Sequence, residues 1–148
     1  MSAPPIDWPS IIPFAVGETV AFRVTWMLAA LSGSARVVEN AGPRLKLAFI
    51  SPEQKMLGRR IPRAEFAFGF ESRAGGVGEA VLEIDGTPHG DPDAVLKREG
   101  RGVRTAMTGA QGEKLSFLIA PDGPRRIALK AISGTKVPPG AKGALIGR

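Results

Sequence analysis

The 148 residues predict an all-β domain, a small antiparallel barrel or sandwich with one or two short helices. Three observations carry that expectation. Bulky apolar side chains recur at every second position in several segments, the mark of a half-buried strand. The 19 Gly and 13 Pro are spread along the chain rather than gathered in one tract, as many tight turns between short strands require. An apolar content of 43% is enough for a core without disulfide or metal staples.

The elements follow in order. Residues 1–13 read as a Pro-rich, irregular N-terminal arm with Trp8 as its anchor. Residues 14–57 form an N-terminal β segment, a candidate reduced β module. It begins with a strand in which Val20, Phe22, Val24 and Trp26 face one way and Ala21, Arg23 and Thr25 the other. Ser32-Gly33-Ser34 breaks that run. Two strands, Arg36 to Glu39 and Arg44 to Ile50, then flank a turn at Asn40-Ala41-Gly42-Pro43. Ser51-Pro52-Glu53-Gln54 has the form of a helix start, with Ser51 as N-cap and Gly58 as the stop.

A barrel over 58–134 follows. Its first strand puts Phe66, Phe68 and Phe70 on one face, and Ala80, Leu82 and Ile84 return on its partner after Ala74-Gly75-Gly76. A polar loop from Asp85 to Asp93 leads into a short helix capped by Asp91-Pro92-Asp93 and ended by Gly100. Arg101 to Met107, Leu115 to Ile119 and Arg126 to Ile132 are further strands, about eight in all by this spacing. Residues 135–148 are a C-terminal tail or closing strand.

Composition narrows the chemistry. The chain has no cysteine, which removes disulfides, thiolate metal sites and a cysteine nucleophile. Met1 to Pro9 lacks the basic start and apolar run of a signal peptide, and the apolar run Val24 to Leu31 is too short to span a bilayer. The expectation is a cytoplasmic protein with no membrane span. His89 is the sole histidine and no tyrosine is present; no poised acid–base pair stands out, so no catalytic role is expected. Asp85, His89, Asp91 and Asp93 fall within nine residues, but Asp beside Gly and Pro is ordinary turn chemistry, and no metal site is expected.

A net charge of +6, carried by 13 Arg and 7 Lys, favours an anionic partner. The densest basic element is Arg59-Arg60-Ile61-Pro62-Arg63, in which Arg59 and Arg63 form an Arg-x-x-x-Arg pair. Downstream, Asp85-Gly86-Thr87-Pro88-His89-Gly90 gives Asp-x-Thr-x-x-Gly at the end of the next strand. Across a β-hairpin the two elements would meet at one rim of a barrel. Arginine forks suit phosphate oxygens and guanine edges, and a carboxylate suits guanine donors.

The order and spacing of these motifs resemble the PilZ family, small β-barrel receptors and adaptors for cyclic di-GMP. The resemblance implies that Arg59 and Arg63 clasp phosphate and guanine, that Asp85 and Thr87 contact the second guanine, and that Gly90 shapes the turn; Arg60 of the same basic cluster is a further candidate ligand-binding residue. Thr87 stands where the family usually has Ser. The Gly112-Glu113-Lys114-Leu115-Ser116-Phe117 stretch with Pro121-Asp122-Gly123 resembles the family's central hairpin. Two other readings stay open. One is a structural or assembly β-barrel, for example a phage or multi-protein-complex subunit, whose Arg cluster binds an acidic protein partner. The other is a nucleic-acid-binding barrel, in which Phe66, Phe68 and Phe70 stack bases rather than form a core face.

Overall fold

The computed structural model describes residues 2–27, 29–109, 111–135 and 137–148. Ten antiparallel strands close into one barrel: β1 (Thr19–Trp26), β2 (Ala29–Ala41), β3 (Arg44–Ser51), β6 (Ala64–Arg73), β7 (Val77–Ile84), β8 (Thr87–Glu99), β9 (Gly102–Thr108), β10 (Lys114–Pro121), β11 (Arg126–Gly134) and β12 (Lys142–Ile146). Each strand pairs with its neighbour along this order, and β12 closes the sheet on β1 with Phe22 opposite Leu145. Residues 14–57, 58–134 and 135–148 therefore all contribute staves to the same sheet. Between β3 and β6 a separate two-stranded hairpin is inserted, β4 (Gln54–Met56) with β5 (Arg59–Ile61).

The meander gives the barrel two unlike ends. One, here the floor, carries the β2–β3, β6–β7, β8–β9 and β10–β11 turns. The other, the mouth, carries the β1–β2 turn, the β4–β5 hairpin, the β7–β8 turn and the β9–β10 and β11–β12 connections. Closure leaves the barrel without an edge strand, the usual hazard of an all-β protein.

The N-terminal arm plugs the floor. Its one helical element is a 3₁₀ turn at Trp8–Ser10, and Ile6, Trp8, Ile11, Ile12 and Phe14 are all buried. The Trp8 backbone N–H donates to Gly42 O at 2.9 Å and its indole Nε1–H to Pro43 O at 3.0 Å. The Ile6 N–H donates to Ser72 Oγ at 2.8 Å, and Asn40 Nδ2 donates to the carbonyls of Ile12 and Phe14. Arg125 then clasps the arm from the far side: it pairs with Glu18, donates to Pro13 O and lies over the Phe14 ring at 5.6 Å. The arm, irregular apart from its 3₁₀ turn, belongs to the core together with the following Phe14, because its four large apolar side chains can be buried only against the open barrel end.

Three further expectations are corrected. Ser32-Gly33-Ser34 does not interrupt a strand; it lies inside β2, with Gly33 opposite Phe22. The helix expected from Ser51 is the β4–β5 hairpin. Ser51 is buried and its Oγ accepts from Gln54 Nε2 instead of capping a helix, while the Gln54 amide accepts from Ser32 N at 3.1 Å and donates to Ser32 O at 3.0 Å. The side chain thereby imitates a paired backbone along β2 beyond the end of β3. The helix expected over 91–100 is the second half of β8, where Ala94 and Leu96 face inward and Val95 outward. Pairing with β7 and β9 overrides the helix propensity of Ala, Leu, Lys and Arg.

Glycines let the wall bend where strands press together. A Cβ on Gly102 would run into the Ile119 carbonyl, and one on Gly33 into the Ile50 carbonyl and the Phe22 ring. Gly102→Ala is expected to cost about 1–3 kcal/mol in urea denaturation, as overpacking of a tight site does. Gly69→Ala, whose Cβ meets nothing closer than 4.0 Å, is the matched control with little effect. Next to Gly102, Arg104 donates to both Glu99 oxygens at 2.8 and 3.2 Å. That hydrogen bond lowers the Glu99 pKa and raises that of Arg104.

Candidate functional site

The barrel interior is filled at the floor and hollow toward the mouth. Near the floor, Val20, Val37, Leu45, Leu96, Val103 and Ile127 are buried in one core cluster with the Trp8 plug, and the buried Ile12, Phe22 and Leu145 bound the space above them. Toward the mouth, the inward-facing Val24, Phe66, Phe68, Leu82, Leu115, Leu129 and Ile132 are only partly buried. Ten staves enclose more width than eight, which side chains alone just fill. The space left is a cavity of 310 Å³ whose lining residues are all apolar.

The sequence builds this lining by period-two alternation in β1, β6 and β10, whose inward residues include Trp26, Phe66, Phe68, Leu115 and Phe117. Phenylalanines form a continuous wall: Phe49 stacks on Phe66 at 4.9 Å, Phe68 stands edge-on to both, and Phe68 leads to Phe70 and so to Trp8 at 5.7 Å. In β11 a bulge at Ala131, with φ +50°, resets the alternation so that Ile132 turns toward the cavity. Val137, Pro138 and Ala141 of the β11–β12 connection lie over the upper part.

A side notch adjoins this space. β8 begins at Thr87, but its ladder with β9 begins only at Val95, opposite Ala106. The unpaired stretch leaves a cleft lined by Leu82, Ile84, His89, Met107, Glu113 and Leu115. Leu115 borders both the notch and the main cavity. Asp91 closes the notch on the floor side, its carboxylate accepting from Thr108 N at 2.7 Å and Asp93 N at 3.0 Å. Polar groups thus sit at the opening and apolar side chains beneath: an imidazole and a carboxylate at the notch, aromatic and aliphatic carbon within.

Of the residues singled out from the sequence, Phe66, Phe68 and Phe70 line this cavity, while Arg59, Arg60, Arg63, Asp85 and Thr87 lie at the rim outside it. The expected polar loop over 85–93 is instead a two-residue turn, Asp85-Gly86, with φ of +49° and +84°, followed at once by β8. Asp-Gly is the turn pair such angles favour, so hairpin geometry accounts for Asp85. Its N–H donates to Glu65 O at 3.0 Å, which brings the turn beside the Arg63–Glu65 segment. Arg63 and Asp85 are therefore neighbours on one rim. Arg63 is held by Glu65 at 2.6 Å and Arg60 by Glu53 at 2.7 Å, both exposed pairs of the kind worth about 0–1 kcal/mol. Arg59 lies exposed on the hairpin, Thr87 is exposed opposite Ile84, and Gly90 sits in the β8 wall opposite Val81 rather than in the turn. Among the described residues no cluster of His, Asp and Glu could hold a metal ion, and no helix is long and apolar enough to cross a membrane.

No family model, curated protein or solved structure matches the chain.

Proposed function

We propose that the protein is a binding protein for a small apolar or amphiphilic molecule, whose hydrocarbon part occupies the upper barrel and whose polar end rests at the mouth. The observation that carries this reading is the hollow upper half: inward-facing aromatic and aliphatic side chains that line accessible space with no charged group among them, the Trp26 indole being the one side chain there with a hydrogen-bonding group. A filled barrel needs no such space, since each uncompensated void costs stability. The volume lies at the small end of the roughly 300–1,000 Å³ that ligand pockets occupy, which favours a single alkyl chain or a compact ring system.

Calorimetric titration with alkyl carboxylates of increasing length tests it. Each buried methylene contributes about 0.8 kcal/mol, so affinity is expected to rise about fourfold per added carbon until the cavity is full, then level off. A flat series, or one rising without limit as in micelle formation, contradicts the reading.

A second reading places an anionic guanine nucleotide such as cyclic di-GMP on the rim. It is supported by the side-by-side position of the Arg63 segment and the Asp85 turn, and the exposed ion pairs there are weak enough for a phosphate to displace them. The same calorimeter decides: saturable heat with cyclic di-GMP that is lost in Arg63→Ala supports the rim site, and no heat removes it.

A further inference from the structure

We infer that the mouth end docks on an anionic lipid bilayer through two apolar turn tips, the Leu57 tip flanked by cations, and that the hydrocarbon ligand enters from that surface. The docking stands on its own observations; only the entry of ligand rests on the function proposed above.

The most exposed large apolar residues are Met27, 89% exposed, and Leu57, 74% exposed. Both occupy turns at the mouth, Met27 between β1 and β2 and Leu57 at the tip of the β4–β5 hairpin. Both also have φ of +51°, a region where Gly, Asn and Asp are at home and a leucine or methionine is disfavoured. Each position therefore carries a residue that turn chemistry disfavours and that water solvates poorly. At the floor, the positive-φ turn residues are Gly17, Gly42, Gly75, Gly76, Gly100, Gly123 and Arg125; none has an apolar side chain, and Arg125 is held by its pair with Glu18. Val16, 61% exposed in the turn before β1, is an exposed apolar residue of the floor, but its backbone is outside that disfavoured region; among the described residues the large apolar tips at positive φ belong to the mouth, and they ask for an apolar phase there.

The surrounding charge states which phase. Lys55, Arg59 and Arg60 stand exposed on the hairpin that lifts Leu57, and Ile84 and Ile50 are half-exposed near the adjoining rim. Cations beside isolated apolar tips match a layer of anionic headgroups above acyl chains. An acidic protein face would answer the cations, but protein interfaces bury a contiguous, well-packed centre, and two separate projecting tips offer none. A fluid bilayer accepts them singly, and it brings hydrocarbon to the mouth of an apolar cavity.

Flotation of the full chain with liposomes tests the inference, using phosphatidylcholine alone and phosphatidylcholine mixed with phosphatidylglycerol. The wild type is expected to float with the anionic vesicles at low salt and to be released as salt screens the charges. Replacing both tips, Met27→Asn with Leu57→Asn, supplies the residue those backbone angles prefer, so the fold is not weakened. Flotation should nevertheless fall about tenfold. Lys55→Glu with Arg59→Glu should produce a similar loss. Leu115→Trp, which fills the cavity, should float like the wild type. A wild type that stays at the bottom with anionic vesicles, or one whose flotation the Asn pair leaves unchanged, overturns the docking. Alkyl-carboxylate binding without flotation would leave the cavity reading intact, so the two failures are distinguishable.

Discussion

Trp8→Ala is expected to destabilise the protein by about 3–5 kcal/mol, the cost of removing a fully buried aromatic side chain. Trp8 is 0% exposed, packs on Phe70 and ties the arm to the β2–β3 turn through Pro43 O. A domain of this kind holds about 5–15 kcal/mol in total, so the variant should lose a large share of its stability in urea. Trp8→Phe separates the two contributions. It keeps most of the packing but leaves the Pro43 carbonyl without its donor, for an expected loss of about 1–3 kcal/mol. If Trp8→Ala unfolds at the wild-type midpoint, the arm is not the floor of the barrel.

Leu115→Trp is expected to do the reverse, gaining stability while losing ligand. Leu115 is partly buried and borders both the main cavity and the notch. A larger side chain there enters empty space instead of packed atoms, and cavity filling commonly adds about 0.5–2 kcal/mol. The same indole would stand where the alkyl chain must lie. Affinity for the longest bound carboxylate should fall about a hundredfold, equivalent to about 2.8 kcal/mol. Opposite signs in the two measurements are the signature of a space kept hollow for a ligand. A loss of stability of about 1–3 kcal/mol would instead mean that the site is already filled.

Period-two alternation made the strands legible where local pattern and tertiary need agree. Val20 to Trp26, the Phe66–Phe70 face and the Leu115–Ile119 face all appear as inward-facing barrel wall, and the all-β barrel follows from them. The failures lie where a long-range partner decides. Ser51 to Gly58 has a helix start in its local chemistry, but Gln54 finds the exposed side of β2 some twenty residues earlier in the chain. The Ala94–Glu99 stretch has helix-forming residues, yet the sheet between β7 and β9 needs a stave there.

The candidate site was hidden for a related reason. Inward-facing apolar residues look alike in sequence whether the barrel is packed or hollow. What separates the two cases is the number of staves and the closure of one end, and neither is local. Seven alternating residues in β1 and β6 carry the core near Trp8 and the cavity near Trp26 with no change of pattern. The basic and acidic motifs were visible because charge is conspicuous in a sequence. The structure gives Asp85 a hairpin turn to make and Asp91 a ladder end to bridge.

The hollow upper barrel is tested most directly by methyl NMR with a spin-labelled alkyl carboxylate, which broadens the resonances nearest the bound chain. The account predicts saturable loss of signal from Val24, Leu115, Leu129 and Ile132, with Val103 and Ile127 near the floor less affected. Broadening confined to outward-facing methyls such as Val95 and Ile146, or none at stoichiometric ligand, would contradict it.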